Sequence, residues 1–227
     1  MNRRHLLAGS LGGASIALFG AHTLAAGREL PKRSQINVAF LLGQGANVID
    51  TAGPWEVFQD TMGESGQHFS LYTVAPSKDI VEMTGGFEVK AKYTIENAPA
   101  PNVIVVPAQR TTDASRAWLK SASGQTDVTM SVCTGAFQLA RVGLLDGLSA
   151  TTHHDYLDDF AKEFPKVELK RGLRFVDNGR VATSGGLTSG IDLALHIVGR
   201  YFGADTAAAT ARYMEHDSTA WREGLSS

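Results

Sequence analysis

Thr129-Met130-Ser131-Val132-Cys133-Thr134-Gly135-Ala136-Phe137 joins a short apolar run to a stretch with helical spacing, and it holds the one cysteine of the chain. A tight strand-to-helix turn of this kind sets the side chain clear of a sheet at its carboxyl edge, where open α/β sheets bind ligands. Two influences favour the thiolate at such a turn: the positive end of the helix dipole and free backbone N–H groups near the sulfur. The same groups can hold charge that develops on a substrate. Gly135 suits a close approach of backbone. The plainer alternative for Cys133 is a buried, inert thiol.

On either side of this turn the chain alternates β-branched runs with amphipathic ones. Strands are expected at Ile36 to Leu42, Phe69 to Val74, Val103 to Pro107 and Asp127 to Val132, with Val89 to Tyr93 in a hairpin that begins near Gly85-Gly86. Helices are expected at Gly53 to Gln59, opened by Pro54, then at Asp113 to Ser121 and Gly135 to Leu145. Farther on, Ala150 to Thr152 reads as extended, Tyr156 to Phe164 as helical, and Arg174 to Thr183 as two strands turning at Asn178-Gly179. Ser189 to Phe202 and Asp205 to Glu215 complete the helices. Strands alternating with helices predict an α/β fold: one doubly wound, mainly parallel sheet with helices on both faces. No repeat, linker or shift in composition marks a second domain.

The 227 residues are 43% hydrophobic and 19% charged, the balance of a globular chain long enough to bury a core without disulfides. With 21 Lys and Arg against 23 Asp and Glu, the formal net charge is -2, which speaks against a nucleic-acid partner. Residues 1–26 have the order of an export signal: Arg3-Arg4, an apolar run from Ala8 to Phe19, and small residues to Ala25-Ala26. The Arg pair resembles a twin-arginine signal, and Gly12, Gly13 and Gly20 keep the run less apolar than a spanning helix needs. The general secretory route, an uncleaved anchor and a buried N-terminal helix are the alternatives. Cleavage would remove both arginines, taking the charge from -2 to -4, and leave a periplasmic domain, residues 27–227, with no membrane contact. An unpaired thiol is unusual in that compartment.

Three blocks together resemble a known family. Ser131-Val132-Cys133-Thr134-Gly135-Ala136-Phe137-Gln138-Leu139-Ala140, with Gly143-Leu144-Leu145-Asp146-Gly147 and Ala150-Thr151-Thr152-His153 behind it, is the central one. Asn47-Val48-Ile49-Asp50-Thr51-Ala52-Gly53-Pro54-Trp55-Glu56-Val57-Phe58 precedes it, and Gly185-Gly186-Leu187-Thr188-Ser189-Gly190-Ile191-Asp192 follows. In this order they resemble the ThiJ/PfpI superfamily, of flavodoxin-like, class I glutamine amidotransferase-like fold. The resemblance is strongest to isonitrile hydratases and to the sensor domains of AraC-type regulators. It implies a cysteine-dependent hydratase or hydrolase acting on a small molecule, with Cys133 as nucleophile, Asp50 as acid/base and Thr134 in support, no cofactor, and a homodimer. The chemistry suits these residue types: a thiolate adds to the terminal isonitrile carbon to give a thioimidate, and a carboxyl group protonates carbon and then activates water, releasing an N-substituted formamide. Asp50 must then hold a proton at some stage, which burial would favour.

Each assignment has a plainer counterpart. Asp50 could be a turn or cap carboxylate, and Thr134 a support in the first helical turn. His153, 20 residues after Cys133, either lines the pocket, orients the thiol, or forms a surface strand-end pair with His154. That pair has no third ligand at useful spacing, so no metal is expected. Where the family has Pro-Gly-Gly after its central strand, this chain has Pro107-Ala108-Gln109-Arg110. Ala108 and Gln109 keep N–H donors for a substrate, while the added side chains would narrow or polarise the pocket. Thr134, rather than a histidine, follows the cysteine, which disfavours a Cys-His peptidase. A binding domain without turnover is the main rival, since the regulator sensor domains share the same turn. Those regulators carry a helical DNA-binding extension with no counterpart after Trp221, so a transcription factor is not expected. Glyoxalase or deglycase chemistry needs an acid on the first strand, and Ile36 to Leu42 carries none.

Overall fold

In a computed structural model that describes residues 30–63 and 66–223, the alternation of side chains along the strands builds two cores from one sheet. Strand β1 (Ile36–Leu41) leads into helix α1 (Val48–Asp60), and β2 (Phe69–Ala75) and the short β3 (Tyr93–Thr94) follow. Then come β4 (Val103–Val106), α2 (Asp113–Ser123), β5 (Val128–Ser131), α3 (Gly135–Arg141) and α4 (Leu157–Glu163). The antiparallel pair β6 (Phe175–Asp177) and β7 (Val181–Ser184) precedes α5 (Ser189–Phe202) and α6 (Ala204–Tyr213). The seven strands run in the order β6-β7-β5-β4-β1-β2-β3, parallel throughout except at β6.

Val103 and Val105 of β4, with Val38 and Phe40 of β1, pack beneath α1, α5 and α6. Ile104 and Val106, with Ala39 and Leu41, pack on the other face beneath α2, α3 and α4. All four β4 residues are fully buried, which is why this strand reads as a continuous apolar run. Since α1 leaves β1 toward one face and α2 leaves β4 toward the other, the crevice of the sheet opens between these two strands. The expected doubly wound, mainly parallel α/β architecture with helices on both faces is the architecture observed.

Several boundaries differ from expectation. α1 starts at Val48, five residues before Gly53, and Pro54 lies inside it. Asn47 sets that start, its side-chain oxygen accepting the Ile49 N–H at 3.1 Å and the Asp50 N–H at 3.4 Å. Asp50 therefore belongs to the first helical turn instead of preceding the helix. α3 stops at Arg141, not Leu145, because Gly143 turns left-handed at φ 81°. The hairpin near Gly85-Gly86 pairs Ile80–Glu82 with Glu88–Lys90, while Tyr93 joins the main sheet as its edge. The segment read as one helix from Tyr156 begins with a single 3-10 turn, His154–Tyr156, before α4. Among the described residues, no helix is long and apolar enough to cross a membrane. The export signal read at residues 1–26 lies outside the described residues.

Candidate active site

Cys133 lies two residues beyond β5, after Val132, with φ 58°, a left-handed conformation that a residue with a Cβ seldom adopts. Neighbouring elements hold it there. Its N–H donates to Gly185 O at 2.9 Å, and its carbonyl accepts the Thr152 hydroxyl at 2.9 Å. One residue earlier, the Val132 N–H donates to Val106 O at 3.0 Å, tying the turn to the end of β4. A Cβ on Gly135 would lie 2.1 Å from that same Val106 carbonyl oxygen, so only glycine lets α3 start this close to β4. Gly190 does the same on the other side, where a Cβ would fall 2.8 Å from a Val132 methyl. A non-glycine residue in this region costs about 1–3 kcal/mol, and these contacts supply the constraint.

Asp50 comes to the same place from the start of α1. It is completely buried, and its Oδ2 accepts the Ala108 N–H at 3.0 Å. Ala108 O in turn accepts the Asn47 N–H at 2.9 Å, so the loop after β4 grips the helix start by both its backbone groups. Asp50 Oδ1 closes no hydrogen bond of ordinary geometry. The Leu187 N–H and the Cys133 thiol nevertheless lie close enough to favour the charged carboxylate, in addition to the Ala108 N–H. Burial outweighs all three and pushes the carboxyl up to about 6.

The thiol faces the converse situation. Burial first, and the adjacent Asp50 charge second, push Cys133 up to about 11; the Thr134 N–H, the Leu187 N–H and the Thr134 hydroxyl act in the opposite direction without prevailing. The expectation that backbone N–H groups and the helix end would yield a thiolate is thus reversed, because a buried sulfur beside a carboxylate pays for desolvation and repulsion together. At neutral pH the pair is a carboxylate against a neutral thiol. Chemically this is a base next to a proton-bearing nucleophile, with N–H and O–H donors aimed at the sulfur for the moment it becomes charged.

A sequence model described as the DJ-1/PfpI family matches residues 36–200. The chain belongs to the DJ-1/PfpI family. It is 31% identical over 193 residues to an isonitrile hydratase of Pseudomonas putida, covering 80% of this chain and 78% of that one. It is 29% identical over 193 residues to the HTH-type transcriptional regulator GbdR of Pseudomonas aeruginosa, covering 82% of this chain and 52% of the regulator. A THiJ/PfpI family protein from Pseudomonas syringae has the same fold, with a TM-score of 0.73 at 24% identity over 83% of this chain and 78% of that one.

Of the residues singled out in the sequence, the DJ-1/PfpI fold of this chain brings Cys133, Asp50, Thr134, Ala108 and Gly135 into one cluster. Gln109 turns away from it. Its side-chain amide donates to Leu41 O at 2.9 Å and accepts the Gly43 N–H, securing the loop after β1. Arg110 is exposed, so of the three side chains expected to narrow or polarise the pocket only the Ala108 methyl stays with the cluster. His153 lies with its ring against Gly186, where a Cβ would fall 2.2 Å from the imidazole Cδ2, and is stacked on His154 at 4.4 Å. The expectation that the two histidines lack a third donor does not hold. Asp155 comes within 3.1 Å of His154 Nε2, and one donor atom from each of the three lies within 4.8 Å of the others.

Two contributors were not legible beforehand. Leu187 places its N–H by adopting φ 54°, and nothing about a leucine announces a left-handed backbone. Thr152 holds the Cys133 carbonyl, and in the sequence nothing but its place beside His153 marks it.

Proposed function

We propose that this protein is a cysteine-dependent hydratase of the isonitrile hydratase type, a lyase that adds water to a small isonitrile-like molecule. The observation that carries the reading is the placement of the completely buried Asp50 carboxyl, held by the Ala108 N–H at 3.0 Å, against the buried Cys133 thiol. Asp50 takes the thiol proton as the Cys133 sulfur bonds to the terminal isonitrile carbon. It passes that proton to the same carbon, giving a thioimidate. Asp50 then takes a proton from water as the oxygen adds to this carbon. The C–S bond breaks, one proton passes to the substrate nitrogen and one returns to sulfur, and an N-substituted formamide leaves with the thiol restored. Thr134 and the Leu187 N–H stabilise the sulfur while it bears charge. Ala108 and Gly135 border the reacting atoms, His153 and Gln109 lie farther out, and no cofactor enters the scheme.

The similarity to P. putida isonitrile hydratase across most of both chains supports this reading. A second reading, a ligand-binding domain without turnover, is supported by the comparable similarity to the regulator GbdR. β1 bears no acidic residue, so glyoxalase or deglycase chemistry with a first-strand carboxylate has no support here. We further place the protein in the periplasm, exported by residues 1–26 with residues 27–227 as the mature domain, and as a homodimer; N-terminal sequencing of the exported protein and light scattering test these points.

The deciding experiment incubates the protein with a panel of isonitriles and follows formamide release. Wild type should turn over, Cys133→Ala should not, and Asp50→Asn should lose about 10²-fold or more. Saturable binding without formamide would establish the second reading. Turnover that survives Cys133→Ala would overturn the first.

A further inference from the structure

The Gln109-Arg110 departure, unused by the chemistry at Cys133, builds something else. A shallow, open depression of about 690 Å³ lies beside the end of β4, lined by Gln109, Arg110, Thr111, Arg116, Gln138 and Arg141. The lining includes three arginines, from the loop, α2 and α3, and not one Asp or Glu. Its floor is fixed: Gln138, almost fully buried, accepts the Thr111 hydroxyl at 2.7 Å and donates to Gln109 O at 3.3 Å. Arg116 donates to the Thr111 hydroxyl at 3.1 Å, which orients one wall.

The existing partners leave part of this positive charge available. Arg116 pairs with Asp113 one helical turn away, a carboxylate that is 98% exposed, and Arg141 pairs with the partly exposed Glu163. An exposed single pair such as Arg116–Asp113 is worth at most about 1 kcal/mol, so Arg116 can turn to a better acceptor, while Arg141, held by both Glu163 oxygens and lying 5.6 Å over the Phe137 ring, contributes its charge from a fixed position. The Arg110 guanidinium has no hydrogen bond or ion pair among the described residues. Its backbone is nevertheless fixed, with its N–H donating to Gln44 O at 3.0 Å. Planar guanidinium groups match the paired oxygens of a carboxylate or phosphate and stay charged at any pH the protein meets.

We propose that this depression is a binding site for a small oxyanion, a carboxylate or a phosphate group, separate from the Cys133 centre. The site shares its loop with that centre, since Ala108, which grips Asp50, directly precedes Gln109 and Arg110. Inorganic phosphate and succinate, titrated separately by calorimetry in chloride buffer with uncharged succinamide as control, distinguish the two ligand chemistries without any measurement of turnover. At least one anion should bind saturably and succinamide should not. Arg110→Gln and Arg141→Gln should each weaken the binding about tenfold or more, while Arg212→Gln on α6 leaves it unchanged. Arg110 is exposed, so its variant retains the fold. Absence of saturable binding by both anions at millimolar concentration, or binding that Arg110→Gln and Arg141→Gln leave intact, would overturn the proposal.

Discussion

The Ala108 N–H donates to Asp50 Oδ2 at 3.0 Å, and this bond joins the end of β4 to the first turn of α1 across the crevice of the sheet. It satisfies one oxygen of a completely buried carboxyl and leaves Oδ1 without an ordinary partner. The native state thus holds a carboxyl group whose charged form is costly, at a value of about 6 against an ordinary 3.8.

A stability measurement detects that cost. With the folded value raised, the stabilising contribution is complete below about pH 4 and is lost as pH rises through about 6. Raising the carboxyl from 3.8 to about 6 corresponds to about 3 kcal/mol. Asp50→Asn should therefore be more stable than wild type at pH 7, by about 2–3 kcal/mol, and the gap should shrink on acidification toward pH 4. Urea denaturation of both proteins at the two pH values checks this; a constant gap would show that Asp50 titrates normally.

Thiol reactivity follows from the same pair. A buried, neutral Cys133 should be alkylated by iodoacetamide at pH 7.5 more slowly than a free cysteine, with the rate climbing as pH approaches 11. Removing the neighbouring charge lowers the thiol, so Asp50→Asn should react faster than wild type at pH 8.5. Mass spectrometry of quenched time points gives both rates. Slower alkylation of the variant would contradict the ordering of causes at the sulfur.

The proposed hydration also has a defined pH profile. The reactive form is carboxylate plus thiol, so kcat/KM should fall as pH drops below about 6 and hold a plateau from there into the alkaline range. Initial rates with one isonitrile between pH 4.5 and 9 check it. A profile that rises on acidification would require Asp50 to start protonated.

The turn around Cys133 was readable in advance because its cues are local: an apolar strand, a cysteine, then a glycine before helical spacing. The layering was readable for the same reason, since the Val103–Val106 run has one explanation in a parallel sheet. The start of α1 was misplaced because Pro54 is a strong N-terminal signal, and the Asn47 cap, which prevails, looks like an ordinary loop residue. The thiol's ionisation was misjudged for a different reason. Backbone donors follow from a turn, but the depth of burial and the proximity of Asp50, 83 positions away, exist only once α1 crosses the end of β5. Gln109 illustrates the same limit: nothing local says that its amide will bond to Leu41 and Gly43 instead of facing the thiol.

Thr152 tests how the left-handed backbone at Cys133 is held. Its buried hydroxyl donates to the Cys133 carbonyl at 2.9 Å, and its own side chain is 2% exposed as a residue. Thr152→Val keeps the shape and removes the donor, leaving a buried carbonyl short of a partner at a cost of about 1–3 kcal/mol. Thr152→Ser restores the hydroxyl at the expense of one methyl and should recover most of that loss. If the bond also positions the sulfur, the valine variant should lose kcat with KM little changed, and the serine variant should regain it.

Gly186 and His153 give the most specific packing test, because a Cβ at Gly186 would lie 2.2 Å from the imidazole Cδ2 and 3.0 Å from Nε2. Gly186→Ala cannot be accommodated without displacing the ring, and overpacking of this kind costs about 1–3 kcal/mol. His153→Ala opens the space that the new methyl needs. The double variant should therefore be less destabilised than the sum of the two single changes, by about 1 kcal/mol or more, as expected for residues in direct contact. Denaturant midpoints of the four proteins complete the cycle. Strict additivity would mean that the backbone at Gly186, next to the N–H of Leu187 that serves both Asp50 and Cys133, yields instead of the ring. In that case Gly186→Ala should also change the alkylation rate of Cys133, which displacement of His153 alone would leave in place.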